Sequence, residues 1–345
     1  MRAFVIVAAA TQFALAVWTG CGAAYSAEVT ATGTQTCPIT ISGTIVVGDA
    51  VKLIAATDRI GWTTGGKLNP PDSPEGDLTR VVCLSGPGGS YAEGRRIANF
   101  LFDNGFGTRV VAQSECLSAC AFIFMAGRNK GDEADGVNRT MHFTSVVGFH
   151  APYYVPPEGS VASANEIRDL NRLWNLVFAD MLRFYSWRSF SSYSPSLSMQ
   201  LLSRIMSAGP SEFVTIATTE DAMRFNVLVE GFNERADASS QAIVQLCRNV
   251  LNWSSDRASE PSRVSDAQVR GLPTPMQGRR LTRVVFAGYA EEKCDVAVHP
   301  TGYSVCMENE YNGQGLGGCP RYGVFYPAIA AFTPATSLRS LSSRR

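Results

Sequence analysis

Apolar runs and helical periodicity alternate through most of the chain. Thr40–Val47 (TISGTIVV) is apolar and β-branched, with Gly43 and Gly48 as punctuation, and predicts a strand followed by a turn. Val51–Ala56 predicts the start of a helix, and Lys67–Gly76 (KLNPPDSPEG) a turn-rich loop. Thr79–Leu84 (TRVVCL) reads as a buried strand that ends in Ser85–Ser90 (SGPGGS). Tyr91–Asn104 carries Ile97, Leu101 and Phe102 at helical spacing, with Gly105 as its stop. A second buried strand is expected over Thr108–Gln113, an apolar helix over Leu117–Ala126 and a third strand over Thr140–Phe149. Ala164–Trp187 places Ile167, Leu170, Trp174, Val177, Phe178, Met181 and Tyr185 on a helical period and predicts the longest helix. Thr218–Ala222 opens a further helix with acids in its first turn. Strand–turn–helix alternation of this kind argues for parallel βαβ units.

The texture changes near Asp237. Gln241–Trp253 is helical in pattern, Ala258–Gln277 reads as a linker, and Leu281–Phe332 as short strands and turns. Four segments follow: an export signal over 1–27, an α/β domain over 28–236, a small disulfide-containing region over 237–332 and a disordered tail over 333–345. The signal rests on Arg2, the apolar run Ala3–Val17, and the small residues Gly20, Gly22, Ala23, Ala24, Ser26 and Ala27. Cleavage is expected near Ala24–Ala27. An uncleaved anchor or a lipoprotein processed at Cys21 is the weaker alternative, because the run is short for a span of about 20 residues and Trp18 is a poor lipobox residue.

Charge and cysteines narrow the picture further. Thirty basic residues balance thirty acidic ones without a basic stripe, which argues against a nucleic-acid partner. Nine cysteines become eight once Cys21 is removed with the signal, an even number that suits disulfides in an exported chain. With no CxxC pair and three histidines, a zinc site is disfavoured, and no metal or other cofactor is expected.

Three segments carry candidate chemistry. SGPGGS lies between a strand and a helix, where Gly88 and Gly89 can adopt positive φ and let a substrate backbone approach. In Cys116-Leu117-Ser118-Ala119-Cys120, Ser118 sits at a helix N-terminus, where unpaired N–H groups stabilise an oxyanion. A plain N-cap serine is the bland alternative. Gly148-Phe149-His150-Ala151-Pro152 puts a histidine at a strand end, and imidazole is the expected base for a serine. His142 reads as structural, and His299 lies in the terminal region.

Taken in order, these motifs resemble the proteolytic subunit of Clp protease and its crotonase-fold relatives. The likeness is greatest to exported bacterial members with a Cys-x-Ser-x-Cys serine motif, and it spans about Thr40 to Gly231. Glu220-Asp221-Ala222 and Phe225-Asn226-Val227 resemble that family's glutamate-alanine…tyrosine-glycine-leucine turn. The resemblance implies an α/β fold with a spiral of repeated ββα units. It further implies Ser118 as nucleophile, His150 as general base, and Gly89 and Ala119 as oxyanion-hole donors. The family's aspartate falls at Val214 or Thr215 here, so Glu212 becomes the candidate third residue, with Asp221 or a bare Ser–His dyad as alternatives. Cys116 and Cys120, four apart, would occupy consecutive helical turns; a bridge between them would then constrain little, whereas one to Cys83 would pin the site.

The expected activity is ATP-independent peptide hydrolysis in the cell envelope, on peptides or unfolded protein, with no ATPase partner. A CoA-dependent crotonase is disfavoured by the serine and histidine at protease positions. The missing aspartate supports a different class, an inactive binding or assembly module. Trp174, Phe178 and Tyr185 suit a homo-oligomer contact and core packing equally well.

Overall fold

The computed structural model describes residues 26–31, 36–62, 80–129, 136–151, 163–187, 198–209, 212–254, 265, 267–276, 279–286, 293–308 and 324–342. Residues 1–25, the Lys67–Gly76 loop, Cys319 and the side chain of Tyr185 lie outside them.

The chain begins with an antiparallel pair, β1 (Glu28–Ala31) and β2 (Ile39–Ile45), followed by α1 (Asp49–Arg59). Next come β3 (Val81–Gly89), α2 (Tyr91–Asn104), β4 (Gly107–Val110), β5 (Glu115–Leu117) and α3 (Ala119–Phe124). A short hairpin, β6 (Arg128–Asn129) and β7 (Gly136–Val137), leads to β8 (Arg139–His142) and β9 (Val146–Phe149). The long helix α4 (Ala164–Trp187), α5 (Met199–Ser207), β10 (Val214–Thr215), α6 (Thr219–Arg224) and β11 (Leu228–Glu230) complete the first region.

Apart from the β6–β7 hairpin, which is a sheet of its own, these strands form one curled, mostly parallel sheet that forks at β3. The start of β3 pairs with β4, which pairs with β8 and then β11. Its end pairs at Gly86 with β5, which pairs with β9 and then β10. Consecutive strands such as β4 and β5, or β8 and β9, therefore enter different arms. The strand expected over Thr140–Phe149 is broken for this reason. Ser145 Oγ and N–H both donate to the His142 carbonyl, at 2.7 and 2.9 Å, which turns the chain between the arms.

The helix boundaries follow from local chemistry. Ser90 caps α2 by accepting the Glu93 N–H, and Gly105 ends it at φ 67°. Thr218 and Asp221 form a reciprocal capping box on α6. α4 docks on the core through half-buried Trp174, Val177 and Phe178 and buried Met181, while Asp180 accepts from Tyr91 and Arg95. Trp174 and Phe178 thus pack against the core, and Ile167, Leu173 and Leu176 remain exposed on the same helix.

After α7 (Ser240–Ser254) comes a five-stranded antiparallel meander of β12 (Ala267–Met276), β13 (Arg279–Phe286), β14 (Lys293–His299), β15 (Gly302–Glu308) and β16 (Val324–Pro327). α7 shares an apolar core with this sheet, and Cys247–Cys294 ties the two together. Ala267–Met276 is an edge strand rather than linker; edge position tolerates Pro273 and Pro275, which cannot donate to a ladder. Residues 333–342 are an ordered strap rather than a disordered tail. Leu338 and Leu341 are buried in the first region's core, and Leu338 N–H donates to the Ala217 carbonyl.

Candidate active site around Ser118

β3, β5 and β9 end side by side, and their C-terminal ends carry the three sequence motifs. Leu117 of β5 lies beside Gly148 of β9, and the Ser118 N–H donates to the Gly148 carbonyl at 2.8 Å. Ser118 is thus bonded to the strand that delivers His150.

Ser118 occupies the N-cap position of α3 but does not behave as a capping serine. Its φ is 55° and ψ −122°, where an N-cap residue is ordinarily extended, and its side chain makes no capping hydrogen bond. A non-glycine residue at positive φ is uncommon and costs about 1–3 kcal/mol, so the surroundings must enforce it. Ala119 is the first residue of α3, so its N–H has no acceptor within the helix.

Gly88 completes the geometry. It is buried at φ +101°, and a Cβ there would stand 2.5 Å from Ser118 Cβ and 2.9 Å from Ala119 N. The absent side chain keeps the front of Ser118 and the Ala119 amide open. Gly89, the expected donor, is exposed, and a Cβ there would stand 2.2 Å from the Ile45 carbonyl oxygen of β2. Behind the site Gly94 of α2 lets α3 approach, with Ala119 Cβ only 3.2 Å from where its Cβ would lie.

His150 donates from Nδ1 to the Ala151 carbonyl at 2.7 Å, since a carbonyl can only accept. The neutral ring then carries its lone pair on Nε2, the tautomer a general base for serine requires. Among the described residues Ser118 and His150 share no hydrogen bond. Such bonds are often long without substrate and tighten only when it binds.

The position facing His150 is aromatic. β10 runs antiparallel to β9 with Val214 opposite Phe149, and the same register sets Phe213 opposite His150. The two rings meet edge-on, with centroids 5.1 Å apart. Glu212 turns elsewhere: its carboxylate accepts the Gly209 N–H at 3.3 Å. Asp221 is occupied by the Ala217 and Thr218 N–H groups and by Arg204 at 2.5 Å. The structure therefore brings together Ser118, Ala119, Gly88 and His150, and places Glu212 and Asp221 in local backbone roles. Phe213 and the Ala151 carbonyl had no signal in the sequence, because both roles depend on strand register.

Cys116 and Cys120 form a disulfide across Ser118, and Cys37–Cys83 is a second bridge. Cys116 lies on β5, not on a helix, so the bridge spans the strand-to-helix turn instead of two helical turns. Cys306 is disulfide-bonded as well. These bridges point to an oxidising compartment. Among the described residues, no helix is long and apolar enough to cross a membrane, and no cluster is placed to hold a metal ion.

No protein-family model matches the chain, and no curated protein matches it.

Proposed function

We propose that this protein is an exported, ATP-independent serine peptidase of Clp-protease type, with a Ser118–His150 centre. The supporting observation is the Ser118 turn: positive φ, a hydroxyl not spent on capping, and an open helix N-terminus beside Gly88. The forked sheet is also consistent with ββα repeats, each sending one strand to either arm.

In this reading Ser118 Oγ attacks the scissile carbonyl carbon as its proton passes to His150 Nε2. The oxyanion takes the Ala119 N–H together with an amide of the Gly88–Gly89 segment. The C–N bond then breaks, the proton moves from Nε2 to the leaving amine, and water releases the acyl group by the reverse steps. The Ala151 carbonyl fixes the tautomer but offers a dipole where a triad offers a full negative charge. The substrates are peptides or unfolded segments, and acylation by a reactive probe is a direct assay of the centre.

A second reading is favoured by that same carbonyl: an inactive member of the fold that serves as a binding or assembly module of the cell envelope. A fluorophosphonate probe separates the two. The wild type should label, Ser118→Ala should not, and Glu212→Gln should label within about threefold of wild type, as expected for a residue outside the site. A folded, oxidised wild type that never labels would establish the module instead.

Export implies a defined mature N-terminus. Ser26 Oγ donates to Asp49 Oδ1 at 2.9 Å, and Ala27 is buried in the core. Cleavage after Ala27 would remove both. Cleavage after Ala24, with small Gly22 and Ala24 preceding it, leaves them in place. Intact mass of the exported protein should begin at Tyr25, and a chain starting at Glu28 would contradict this.

A further inference from the structure

The Cys116–Cys120 bridge differs in kind from Cys37–Cys83 and Cys247–Cys294. Those two join residues 46 and 47 apart in sequence, whereas this one joins residues 4 apart. Closing so short a loop removes little disorder from the unfolded chain, so global stapling is its least effective use. Both half-cystines are buried. Cys116 is held in the sheet on both sides, by Gly86 of β3 and Val147 of β9, and Cys120 lies in the first turn of α3. The bridge therefore links a fixed strand to the helix start, and Ser118 is the middle residue of the loop it closes.

We infer that the Cys116–Cys120 disulfide is a positioning crosslink that holds Ser118 at positive φ and keeps the Ala119 N–H turned to the mouth of the site. The inference rests on Ser118 being the nucleophile. Two other restraints act on the turn, the Ser118 N–H bond to Gly148 and the contact with Gly88. Neither ties α3 to β5 covalently. Without the bridge, the start of α3 is free to shift against β5, with Ser118 relaxing to the extended conformation of an ordinary N-cap and its hydroxyl turned onto the helix N–H groups.

The test uses full-length oxidised protein carrying Cys116→Ala and Cys120→Ala, with the remaining bridges intact. Should that pair fail to fold cooperatively, Cys116→Val with Cys120→Ala restores buried volume. Fluorophosphonate labelling should slow by at least about tenfold, since a misplacement near 1 Å costs that much or more. Hydrogen exchange should quicken over Cys116–Ala121 while β3 and β9 keep wild-type protection. Labelling within about twofold of wild type would overturn the inference, as would exchange that is unchanged or raised evenly through the domain, the mark of a merely stabilising bridge. A wild type that never labels sinks the hydrolase reading instead. The exchange comparison then decides the crosslink alone: locally faster exchange supports it and unchanged exchange overturns it.

Discussion

Gly88→Ala should silence Ser118 while leaving the fold in place. The new Cβ would lie 2.5 Å from Ser118 Cβ, 2.7 Å from the Leu117 carbonyl oxygen and 2.9 Å from Ala119 N. Two of these three neighbours are backbone atoms held by the β5 ladder and the α3 N-terminus, so relief requires the turn itself to move. A fluorophosphonate rate at least about 100-fold below wild type is expected, the scale of losing an oxyanion donor. Strain at positive φ adds a stability cost, and it must be separated from the effect on the site. Gly48 provides the control, with φ +104° against +101° at Gly88 and nothing within 4 Å of its would-be Cβ. Gly48→Ala should therefore lose about 1 kcal/mol in urea unfolding and label normally. Gly88→Ala that labels within threefold of wild type would remove the basis for placing the oxyanion at this turn.

Legibility in the sequence tracks how local each cause is. α2 and α4 could be bounded because Ser90, Gly105 and a sustained apolar period act within a few residues. Thr218 and Asp221 announced α6 for the same reason. Ser118 and His150 were legible as candidates because a strand end is a local event. The ring against His150 was not, since Phe213 reaches it only through the register of β10 on β9. The break between β8 and β9 was hidden in a continuous β-prone run, because the fork at β3 that demands it is a property of the whole sheet. Composition misled at two places. Gly271, Pro273 and Pro275 resemble a linker yet suit an edge strand, and a Ser/Arg-rich tail hid Leu338 and Leu341, which enter the core.

Arg139 shows what holds the site's scaffold together, and its loss should be the most damaging single change to stability. The guanidinium is buried, and burial pushes its pKa down to about 9, which still leaves it cationic at neutral pH. It donates from Nη1 to the Met125 carbonyl at 2.8 Å, from Nη2 to Phe225 at 2.7 Å and from Nε to Asn226 at 2.9 Å. Met125 ends α3 and Phe225 ends α6, so one rigid fork neutralises the negative ends of two helices and fixes the helix behind Ser118. Arg139→Leu would leave three carbonyls without their donor, those of Met125 and Phe225 in buried contacts, and hydrogen bonds to a charged group contribute about 1.5–3 kcal/mol each. After partial relaxation the expected loss is roughly 4 kcal/mol, a large share of the ~5–15 kcal/mol that keeps a typical domain folded. Arg139→Lys keeps the charge but lacks the planar fork and should lose about half as much. Urea unfolding of the oxidised protein, read by linear extrapolation, measures both, and a loss under about 1 kcal/mol for Arg139→Leu would show that the helix ends are satisfied without it. Where the Leu variant still folds, its α3 should exchange amide protons faster than β3. The charge at position 139 serves α3 from the end opposite Ser118.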